Sequence, residues 1–550
     1  MNKKCLLSAL FATPLVACTT EKQERPNIVF FLLDDFGWLD SSVAYGEEQY
    51  PNNLRYDTPN MARLAERGVI MTNAYACPVS SPTRTSIMTG MHAAHEGVTM
   101  FLANNSNVPT DATGGTRGTF KVNENEDDPF IRPEWNYNGI TPIECNMPYM
   151  LRVTPMVQLL KDSGYFTILA GKAHFGSMGT PSASPYNLGF TVNLSGSYAG
   201  MPASYHGEDN YGNKPGEWKL HSVPGFFEYW GSDTHLTEAL TVNALASLDF
   251  PIDNGIPFYL NLAHYATHTP IQPDKRFYEK YRERGMDHLQ ACYGSMVEGA
   301  DKSLGDLLDY LDAKGVADNT IIIFYSDNGG HSVNTSKGGE AHVYNLPLRE
   351  GKGSCYEGGI RVPMMAYIPN KTAAGVRINT PVVLEDLFPT ILELAGVKEY
   401  ETIQEIDGKS MVRLWTDGSQ YVAKAMADGR ISSQKEANAF VVPEEVSGIN
   451  PERAVISHFP HQWRIEDQYD VDFLSAIRCG DWKLVYRMHD FALELYNLKE
   501  DLGERHNLAS DHPEKVKVLA TELSDALRDW NAPMPIVRAT GKPVPMPDEL

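Results

Sequence analysis

Four apolar runs that each end in polar residues constrain the fold of this chain more than any other feature. They occur in the segments NIVFFLLDDFG, YFTILAGKAHFG, PFYLNLAHYATHTP and NTIIIFYSDNGG. Short runs rich in Ile, Val, Phe and Tyr and bounded by Gly or Asp are typical of buried parallel strands. Amphipathic segments at 58–67, 153–163 and 293–314 indicate helices between or beside the strands. Alternating strands and helices predict an α/β fold with helices on both faces of an open sheet.

The polar residues at the ends of these runs predict a ligand site. In open α/β sheets, ligands bind just beyond the carboxyl ends of the strands. The residues delivered to that edge are Asp34, Asp35, Lys172, His174, His264, His268, Asp327 and Asn328. Carboxylate and amide oxygens suit calcium or magnesium better than zinc. Each pair alone is also compatible with a loop or turn, but together they predict a metal and anion site.

The overall charge narrows the class of partners. The 550-residue chain has a formal net charge of -23. It is therefore a poor binder of DNA or RNA, because phosphate neutralisation needs a basic surface. We expect no nucleic-acid partner. An anionic substrate would need local cations that reverse the field at the site.

The N-terminal segment MNKKCLLSALFATPLVACTT is typical of an export signal and not of a folded domain. Its end, Leu15-Val16-Ala17-Cys18, resembles the bacterial lipobox. This predicts a signal peptide over 1–18, a lipidated Cys18 and a tether over 19–26. A plain cleaved signal peptide is the alternative. Acyl chains on Cys18 would attach the protein to the membrane through a lipid anchor only, and Thr19 predicts an outer-membrane location.

The chain is long enough for more than one domain. The α/β pattern predicts a main, catalytic domain over 27–410. Residues 411–450 are polar and low in apolar periodicity, which predicts a connector or surface insertion. Strand-like runs followed by a helix at 513–530 predict a C-terminal subdomain over 451–550, with a four-stranded antiparallel sheet and one helix.

The segment ACPVSSPTRTSIMTG offers three small nucleophiles, Cys77, Ser80 and Ser81. It resembles the signature of the formylglycine-dependent sulfatases, in which the nucleophile precedes x-Pro-x-Arg and a later Thr-Gly. Only Ser80 fits that register, because Pro82 and Arg84 then fall at the required positions. The resemblance makes Ser80 the formylglycine precursor, in the serine-type bacterial variant, and leaves Cys77 and Ser81 as bystanders. The proline and the RTSIMTG run also predict that Ser80 begins a helix.

The resemblance covers nearly the whole mature chain. PNIVFFLLDDFGW, GYFTILAGKAHFG, HYATHTPIQ and SDNGG match the elements of the family in order, and NLPLREGKGSCYEGGIRVP picks out Lys352. AIRCGDWKLV and ELYNLKEDLGERHNLA resemble its C-terminal signature. The implied fold is alkaline-phosphatase-like: a large mixed, mostly parallel sheet sandwiched by helices, plus the smaller C-terminal domain. His268 matches the histidine element because Thr-Pro follows it, whereas His264 is expected in the core or behind the site.

The family chemistry implied for these residues is sulfate-ester hydrolysis assisted by calcium. The implied ligands of one Ca²⁺ ion, favoured over Mg²⁺, are Asp34, Asp35, Ser80, Asp327 and Asn328. The implied catalytic residues are Ser80, Arg84, Lys172, His174, His268 and Lys352. Arg84 would steady the aldehyde hydrate, and the lysines would bind sulfate. His268, aided by Lys352, would protonate the leaving alcohol, and His174 would take the proton when sulfate departs. A serine-type radical maturase is the implied partner that oxidises Ser80.

The expected substrate is a sulfated carbohydrate, since anchoring outside the cytoplasm suits glycan scavenging. Similarity in HYATHTPIQ and SDNGGHS favours an exo-acting enzyme on sulfated galactose or N-acetylgalactosamine, at position 4. In SHFPHQWR, His458, His461 and Arg464 are either substrate contacts or part of a polar loop. Two other functions are alternatives: a phosphonate or phosphodiester hydrolase of the same superfamily, and a glycan-binding lipoprotein whose Ser80 stays unconverted.

Overall fold

The computed structural model describes residues 25–102, 131–132, 136–147, 150–216, 220–332, 335–461 and 471–550. The predicted signal peptide, with Cys18, and most of the predicted tether therefore lie outside the described residues. The strands, in chain order, are β1 (Asn27–Leu33), β2 (Val69–Tyr75), β3 (Ile131–Arg132), β4 (Ile140–Pro142), β5 (Leu151–Val153), β6 (Phe166–Gly171), β7 (Val192–Leu194), β8 (Phe258–Ala263), β9 (Thr320–Ser326), β10 (Arg361–Tyr367), β11 (Val376–Ile378), β12 (Val382–Val383), β13 (Ala454–Phe459), β14 (Leu474–Cys479), β15 (Trp482–Arg487), β16 (Ala492–Asn497), β17 (Ile536–Val537) and β18 (Lys542–Pro543).

A nine-stranded sheet dominates the described part of the chain, in the order β11-β2-β10-β9-β1-β8-β6-β7, with β12 also paired to β2. Only β10 runs antiparallel to its two neighbours, β2 and β9. The predicted mixed, mostly parallel sheet is therefore confirmed. The four apolar runs of the sequence are β1, β6, β8 and β9, and they lie side by side in the order β9-β1-β8-β6.

Both faces of the sheet are buried. Along β1, Ile28, Phe30 and Leu32 belong to one hydrophobic core, while the alternating residues Val29, Phe31 and Leu33 belong to the other. A strand that is covered on both faces has no polar face, which is why these runs are continuous and not alternating. The helix Met156–Asp162 packs in the first core and the helix His288–Ala313 in the second.

The α-helices of the described residues cover both faces of the main sheet and one face of the C-terminal sheet. They are Pro59–Arg67, Ser80–Thr89, Ala93–Glu96, Met156–Asp162, Leu236–Ser247, Asp249–Asp253, Tyr278–Glu283, His288–Ala313, Glu357–Ile360, Leu387–Leu394, Ser419–Ala427, Gln434–Ala439, Glu444–Ser447 and Pro513–Asp529. The predicted helix at 293–314 is longer than expected and begins at His288, because the Asp287 carboxylate caps the first turn by accepting from the Gln290 N–H.

Residues 411–450, expected to form a connector or surface insertion, instead pack on the main core. Leu414, Trp415, Val422 and Ala425 are fully buried there. The segment folds into short helical pieces whose apolar residues recur on one side while polar residues cover the other. Because each piece is short, the apolar period is hard to recognise in the sequence.

The C-terminal subdomain has the predicted four-stranded antiparallel sheet, in the order β13-β14-β15-β16. The helix Pro513–Asp529 covers one face through Leu519, Leu523 and Leu527. The other face packs against Val79 and Tyr356 of the main domain. Smaller pairings join β18-β17-β3 and β4-β5. Among the residues described, no helix combines the length and apolar character that crossing a bilayer requires.

Candidate active site

The carboxyl ends of β9, β1, β8 and β6 bring the predicted polar residues together. Asp34 and Asp35 follow β1, Asp327 and Asn328 follow β9, and Lys172 follows β6. The side chains of these residues lie within direct contact distance of one another, although up to 293 positions separate them in the chain. Adjacent parallel strands end at one edge of the sheet, so the site follows from the strand order.

Ser80 lies at the centre of this cluster. It is the first residue of the helix Ser80–Thr89 and is only 3 % exposed. Its hydroxyl oxygen lies 3.1 Å from Asp34 Oδ1 and 3.1 Å from Asn328 Oδ1. The free N–H groups of a helix N-terminus favour an anion at this point. Ser80 thus lies beside two of the oxygen atoms that the sequence predicts as metal ligands.

The two neighbouring nucleophiles are directed elsewhere. Cys77 is buried, its backbone N–H donates to the Thr83 hydroxyl, and burial raises the pKa of its thiol well above the usual value. A thiol in such surroundings is a poor nucleophile because it stays protonated. The Ser81 hydroxyl lies 3.1 Å from His174 Nδ1 and accepts from the Leu102 N–H at 3.0 Å.

Three cations pair with the three carboxylates. Arg84 donates from Nε to Asp327 Oδ2 at 2.9 Å and from Nη1 to the Lys172 carbonyl at 2.9 Å. Lys172 Nζ is 2.7 Å from Asp34 Oδ2. Lys352 Nζ is 2.6 Å from Asp35 Oδ1. All of these side chains are at most 5 % exposed, so their charges act in a weakly screened environment.

The carboxylates differ in how well their charge is compensated. Burial, followed by repulsion from Asp327, raises the pKa of Asp34 to about 8. Burial alone would also raise the pKa of Asp35, but the Lys352 ammonium holds it well below its usual range. The pKa of Asp327 is likewise lowered because Arg84 and Lys172 outweigh burial. Without a further cation, the cluster does not stabilise Asp34 as a carboxylate.

A divalent cation fits this deficit. Oxygens of Asp34 and Asn328 contact the Ser80 hydroxyl, and the carboxylates of Asp35 and Asp327 accept from Asn328 Nδ2 and from the Asp35 N–H next to it. Hard oxygen donors of this kind suit calcium or magnesium. His268 also offers a ligand atom, since its ring and the carboxylates of Asp34 and Asp35 have donor atoms all within 4.8 Å of one another. The donor set is mainly oxygen, which fits the predicted calcium better than a transition metal.

The two predicted catalytic histidines flank the cluster. His268 Nε2 lies 3.7 Å from Asp35 Oδ2, and Nδ1 donates to the Thr269 carbonyl at 2.9 Å, which leaves Nε2 as the acceptor nitrogen. Burial and then Lys352 lower the pKa of His268 to about 3. Burial and Lys172 hold the pKa of His174 well below its usual value. Both rings are therefore neutral in this charge state of the site. His264 is fully buried and lies in the core against Ser303.

Several residues that contact the histidines or their backbone were not predicted to do so: Ser81 was expected to be a bystander, and Gly200 and Tyr205 belong to no motif. Ser81 contacts the His174 ring, and a side chain on Gly200 would meet that ring at 2.4 Å. The Tyr205 hydroxyl donates to the carbonyl oxygens of Tyr265, at 2.6 Å, and of His268, at 2.9 Å. Their roles arise from packing between distant loops, which leaves no spacing pattern in the sequence.

The structure gives no support to the predicted substrate contact at His458. Its ring is 3 % exposed, with Nδ1 2.6 Å from the Ser475 hydroxyl and Nε2 2.9 Å from the Pro533 carbonyl. His461 is 1 % exposed and its Nε2 lies 2.7 Å from the Thr99 hydroxyl. Pairing of β13 with β14 turns His458 into the subdomain. Arg464 lies outside the described residues.

Comparison with known proteins agrees with this geometry. The family model described as Sulfatase matches residues 26–397. Over 602 aligned positions, the chain is 28% identical to a protein named Sulfatase from Formosa agariphila, covering 99% of this chain and 97% of that protein. It is 29% identical to N-acetylgalactosamine-6-sulfatase from Rattus norvegicus, covering 76% of this chain and 70% of that protein. The crystal structure of Ps i-CgsB in complex with k-i-k-neocarrahexaose is 26% identical, with a TM-score of 0.64 and coverage of 92% and 93%.

Proposed function

The chain belongs to the sulfatase family and is a sulfuric ester hydrolase acting on carbohydrate sulfate esters, and we propose that its substrate is a glycan of sulfated galactose or N-acetylgalactosamine. One observation carries the proposal for the site: the Ser80 hydroxyl lies 3.1 Å from both Asp34 and Asn328, inside a ring of acids paired with Arg84 and lysines. A nucleophile among hard metal ligands and fixed cations suits attack on an anionic ester.

We propose that one Ca²⁺ ion is held by Asp34, Asp35, Asp327, Asn328 and the residue 80 side chain. The family generally uses calcium, and the oxygen-rich donor set described above supports its presence here. When bound, such an ion polarises a sulfate oxygen and lowers the proton affinity of a nearby hydroxyl.

We propose that Ser80 is converted to formylglycine by a serine-type radical maturase. The family generally uses formylglycine, and the register of Ser80, Pro82 and Arg84 supports its formation at position 80 here. The hydrated aldehyde would supply one hydroxyl to attack sulfur and a second to release sulfate, which a serine hydroxyl cannot do.

The chain's own cations bind and orient the ester. Arg84 is fixed by Asp327 and by the Lys172 carbonyl, which would let its guanidinium steady a hydrated aldehyde at residue 80. Lys172 and Lys352 are buried and supply positive charge in a protein whose net charge is -23. Asp35 keeps Lys352 protonated: burial would lower its pKa, but Asp35 raises it above the usual value. Fixed buried cations need no reorganisation when charge develops on the sulfate oxygens.

The two histidines move protons on opposite sides of the cluster. His174 is neutral, which is the form that a general base needs at the sulfate-release step, although burial and Lys172 keep its proton affinity low. His268 is neutral with a free Nε2 until an anionic ester binds. The charge of that ester favours protonation of His268, which with Lys352 then protonates the leaving sugar oxygen.

We propose that the protein is exported and held at the outer membrane by acylation of Cys18. The lipobox Leu15-Val16-Ala17-Cys18 and the polar stretch that follows support this location. Such an anchor would keep the enzyme where extracellular or periplasmic glycans are found. Mass analysis of the N-terminal peptide from native membranes tests it: a diacylated or triacylated Cys18 supports the proposal, and an unmodified N-terminus at another residue contradicts it.

The proposed sugars are supported by two relatives. One is named for N-acetylgalactosamine 6-sulfate, and Ps i-CgsB was crystallised with a neocarrahexaose. We propose exo action, since the residues at the centre of the site are nearly buried, which suits a sulfate that protrudes from a chain end. Comparing sulfate release from the 4- and 6-esters of each sugar determines the position of the ester.

Sulfate release from defined sugars tests the function. The full chain is produced with a serine-type maturase and calcium, then given galactose, N-acetylgalactosamine, glucosamine and uronate sugars with single sulfates, including the 4- and 6-esters. Release from a galactose-type sugar that is lost in Ser80→Ala and after chelation of calcium supports the proposal. Release only from glucosamine or uronate sulfates contradicts the substrate proposal. Cleavage of phosphonate or phosphate diesters without any sulfate release contradicts the sulfatase chemistry itself.

A further inference from the structure

A cavity of about 370 Å³ lies away from the catalytic residues, none of which lines it. It opens where the β2 side of the main sheet, the helix Gln434–Ala439 and the C-terminal sheet meet. Trp38 and Tyr45 line it together with Arg361 from β10 and Arg478 from β14. The volume is within the usual range of small-molecule sites, about 300–1,000 Å³.

The two arginines lie at the floor of this cavity. Arg361 is 5 % exposed and Arg478 is 6 % exposed, and the Tyr75 hydroxyl accepts from both. Arg361 also donates to Glu357 Oε2 at 2.6 Å. Arg478 forms no ion pair within the described part of the chain; its Nε donates to the Gly480 carbonyl at 2.8 Å, and its Nη2 has no partner there. The Nη2 group of Arg478 can therefore donate to a ligand that carries lone pairs.

The buried charges around the floor do not balance. The cations are Arg361, Arg478 and Lys483, and the acids are Glu357 and Glu504, with Lys483 bridging both acids at 2.9 Å and 2.7 Å. Even with both acids ionised, one positive charge is in excess. Burial raises the pKa of Glu504 to about 7, which increases that excess near neutral pH. A net positive floor is notable in a chain with a net charge of -23.

The rim of the cavity carries exposed charges of both signs, which solvent screens more strongly than the buried charges of the floor. Lys435 pairs with Glu47, and the two side chains are 75% and 44% exposed. The remaining rim residues Lys499, Glu452, Asp481 and Glu500 are exposed. Solvent and salt screen exposed charges over about 8–10 Å, whereas the buried floor charges are screened much less. The buried cations therefore dominate at the floor, although the exposed rim has two lysines and four acids.

Two aromatic residues of the cavity lining carry polar atoms without partners among the described residues. Trp38 Nε1 and Tyr45 Oη are buried and have no hydrogen-bond acceptor among the described residues. The Trp38 ring is tilted against the rings of Tyr45 and Tyr50, with centroids 6.2 Å and 6.4 Å away. Because both polar atoms are buried, a ligand in the open cavity would be bound by the arginines and not by these two groups.

We propose that this cavity is a second oxyanion-binding site, which takes a sulfate group through Arg478 and Arg361. The buried arginines of the floor, and the absence of an ion pair at Arg478 among the described residues, indicate an oxyanion; its identification as sulfate rests on the proposed function. The sulfate comes either from a neighbouring sulfated sugar of the glycan or from inorganic sulfate released by the enzyme.

Equilibrium dialysis of the full-length protein tests the site. Radiolabelled inorganic sulfate and a sulfated galactose disaccharide are measured in a Lys352→Ala background, which weakens anion binding at the catalytic centre. Adding Arg478→Gln removes the Arg478 guanidinium from the floor of the cavity. We expect the affinity of the cavity for sulfate to fall about tenfold or more, since charge-assisted hydrogen bonds are lost.

Lys499→Glu changes only an exposed rim charge and is expected to weaken binding by a smaller factor without affecting folding. Lys517→Glu makes the same charge change on an exposed helix outside the cavity and is expected to have no effect.

The outcomes separate the two sources of sulfate and the two proposals. Tighter binding of the sulfated disaccharide than of inorganic sulfate identifies a glycan site, and equal binding identifies a product site. Equal binding of the unsulfated disaccharide, or binding unchanged by both Arg478→Gln and Lys499→Glu, overturns the oxyanion site. The single Arg478→Gln and Lys499→Glu variants should hydrolyse a small aryl sulfate at the wild-type rate. If the wild type hydrolyses no sulfate ester, the proposed function is contradicted. The dialysis result alone then decides whether the second site exists.

Discussion

At the scale of single residues, side-chain orientation decides which of the three neighbouring nucleophiles, Cys77, Ser80 and Ser81, lies in the active site. Ser80 and Ser81 are consecutive residues of one helix, so their side chains diverge by about 100°. Ser80 consequently meets Asp34 and Asn328, and Ser81 meets His174. Cys77 precedes the helix and is buried among apolar side chains. The Ser81 hydroxyl therefore positions the base, although it takes no part in bond formation.

Gly200→Ala should reduce turnover by displacing His174. The added methyl group would lie 2.4 Å from the ring atom Cε1, so the imidazole must move. A displacement of about 1 Å in a catalytic group can cost on the order of 100-fold in rate, and we expect kcat to fall at least tenfold with little change in the melting temperature. Gly418→Ala is the matched control, because the added methyl group there meets nothing closer than 3.4 Å. Wild-type kcat in Gly200→Ala would contradict the placement of His174.

Glu385 should make stability fall as pH rises. Burial, with repulsion from Asp386, raises the pKa of its carboxyl from 4.5 to about 8. Between these values the folded state keeps a proton that the unfolded state has released, so the free energy of unfolding declines with pH by up to about 1.4 kcal/mol per pH unit. Below the lower value both states are protonated and the effect vanishes. Glu385→Gln should match the wild type in melting temperature near pH 4 and exceed it increasingly towards pH 8. Parallel curves for the two proteins would show that Glu385 does not titrate in this range.

At the scale of elements, a buried acid holds the helix that presents Ser80. Glu96 is fully buried and contacts the hydroxyl of Thr85 through Oε1 and that of Thr89, at 2.9 Å, through Oε2. Burial raises the pKa of Glu96 well above its usual value despite these hydrogen bonds. The neutral acid therefore acts as a hydrogen-bonding clamp on the helix Ser80–Thr89.

Glu96→Ala and Glu96→Gln should differ sharply. Alanine leaves buried hydroxyl groups without this partner and opens a void, which should lower the free energy of unfolding by about 3 kcal/mol. It should also lower kcat, because the helix carries both Ser80 and Arg84. Glutamine keeps the shape and the neutral charge, and should retain most of the activity. Kinetics, thermal melting and the fraction of converted Ser80 by peptide mass are measured together. A more damaging effect of glutamine than of alanine would contradict a neutral clamp.

At the scale of the whole molecule, the C-terminal subdomain supports the catalytic domain through a buried ion network. Lys483 on β15 is 1 % exposed and reaches Glu357, five positions after Lys352. Its other partner, Glu504, accepts from the Glu357 backbone N–H at 2.7 Å. The two parts of the chain therefore share buried charges as well as an apolar interface at Val79 and Tyr356.

Lys483→Met should destabilise the whole protein. It removes the cation between two buried acids, and breaking a buried ion pair in this way typically costs about 3–5 kcal/mol. Thermal melting should show one transition at a clearly lower temperature, because both parts lose a shared contact. Lys517→Met, at an exposed position of the helix Pro513–Asp529, is the control and should melt like the wild type. An unchanged melting temperature in Lys483→Met would mean that the network adds nothing to stability.

The sequence by itself determined the parallel sheet, the edge at which the site lies and the residues at its centre. Strands buried on both faces must be apolar throughout, so β1, β6, β8 and β9 are visible as continuous runs. Parallel neighbours end at one edge, which brings Asp34, Lys172 and Asp327 together whatever the loops do. The choice of Ser80 over Cys77 came from the register of a family signature, which is also local in the chain.

Only the tertiary structure decided what depends on contacts between segments far apart in the chain. His458 lies in a polar stretch, yet strand pairing buries it between Ser475 and Pro533. The helices of 411–450 join the main core although their sequence is polar on average. The clamp at Glu96, the contact of Gly200 with His174 and the cavity over Arg478 likewise come from side chains that meet across loops and domains. Periodicity and spacing report what is repeated along the chain, whereas such contacts are single events of packing in space.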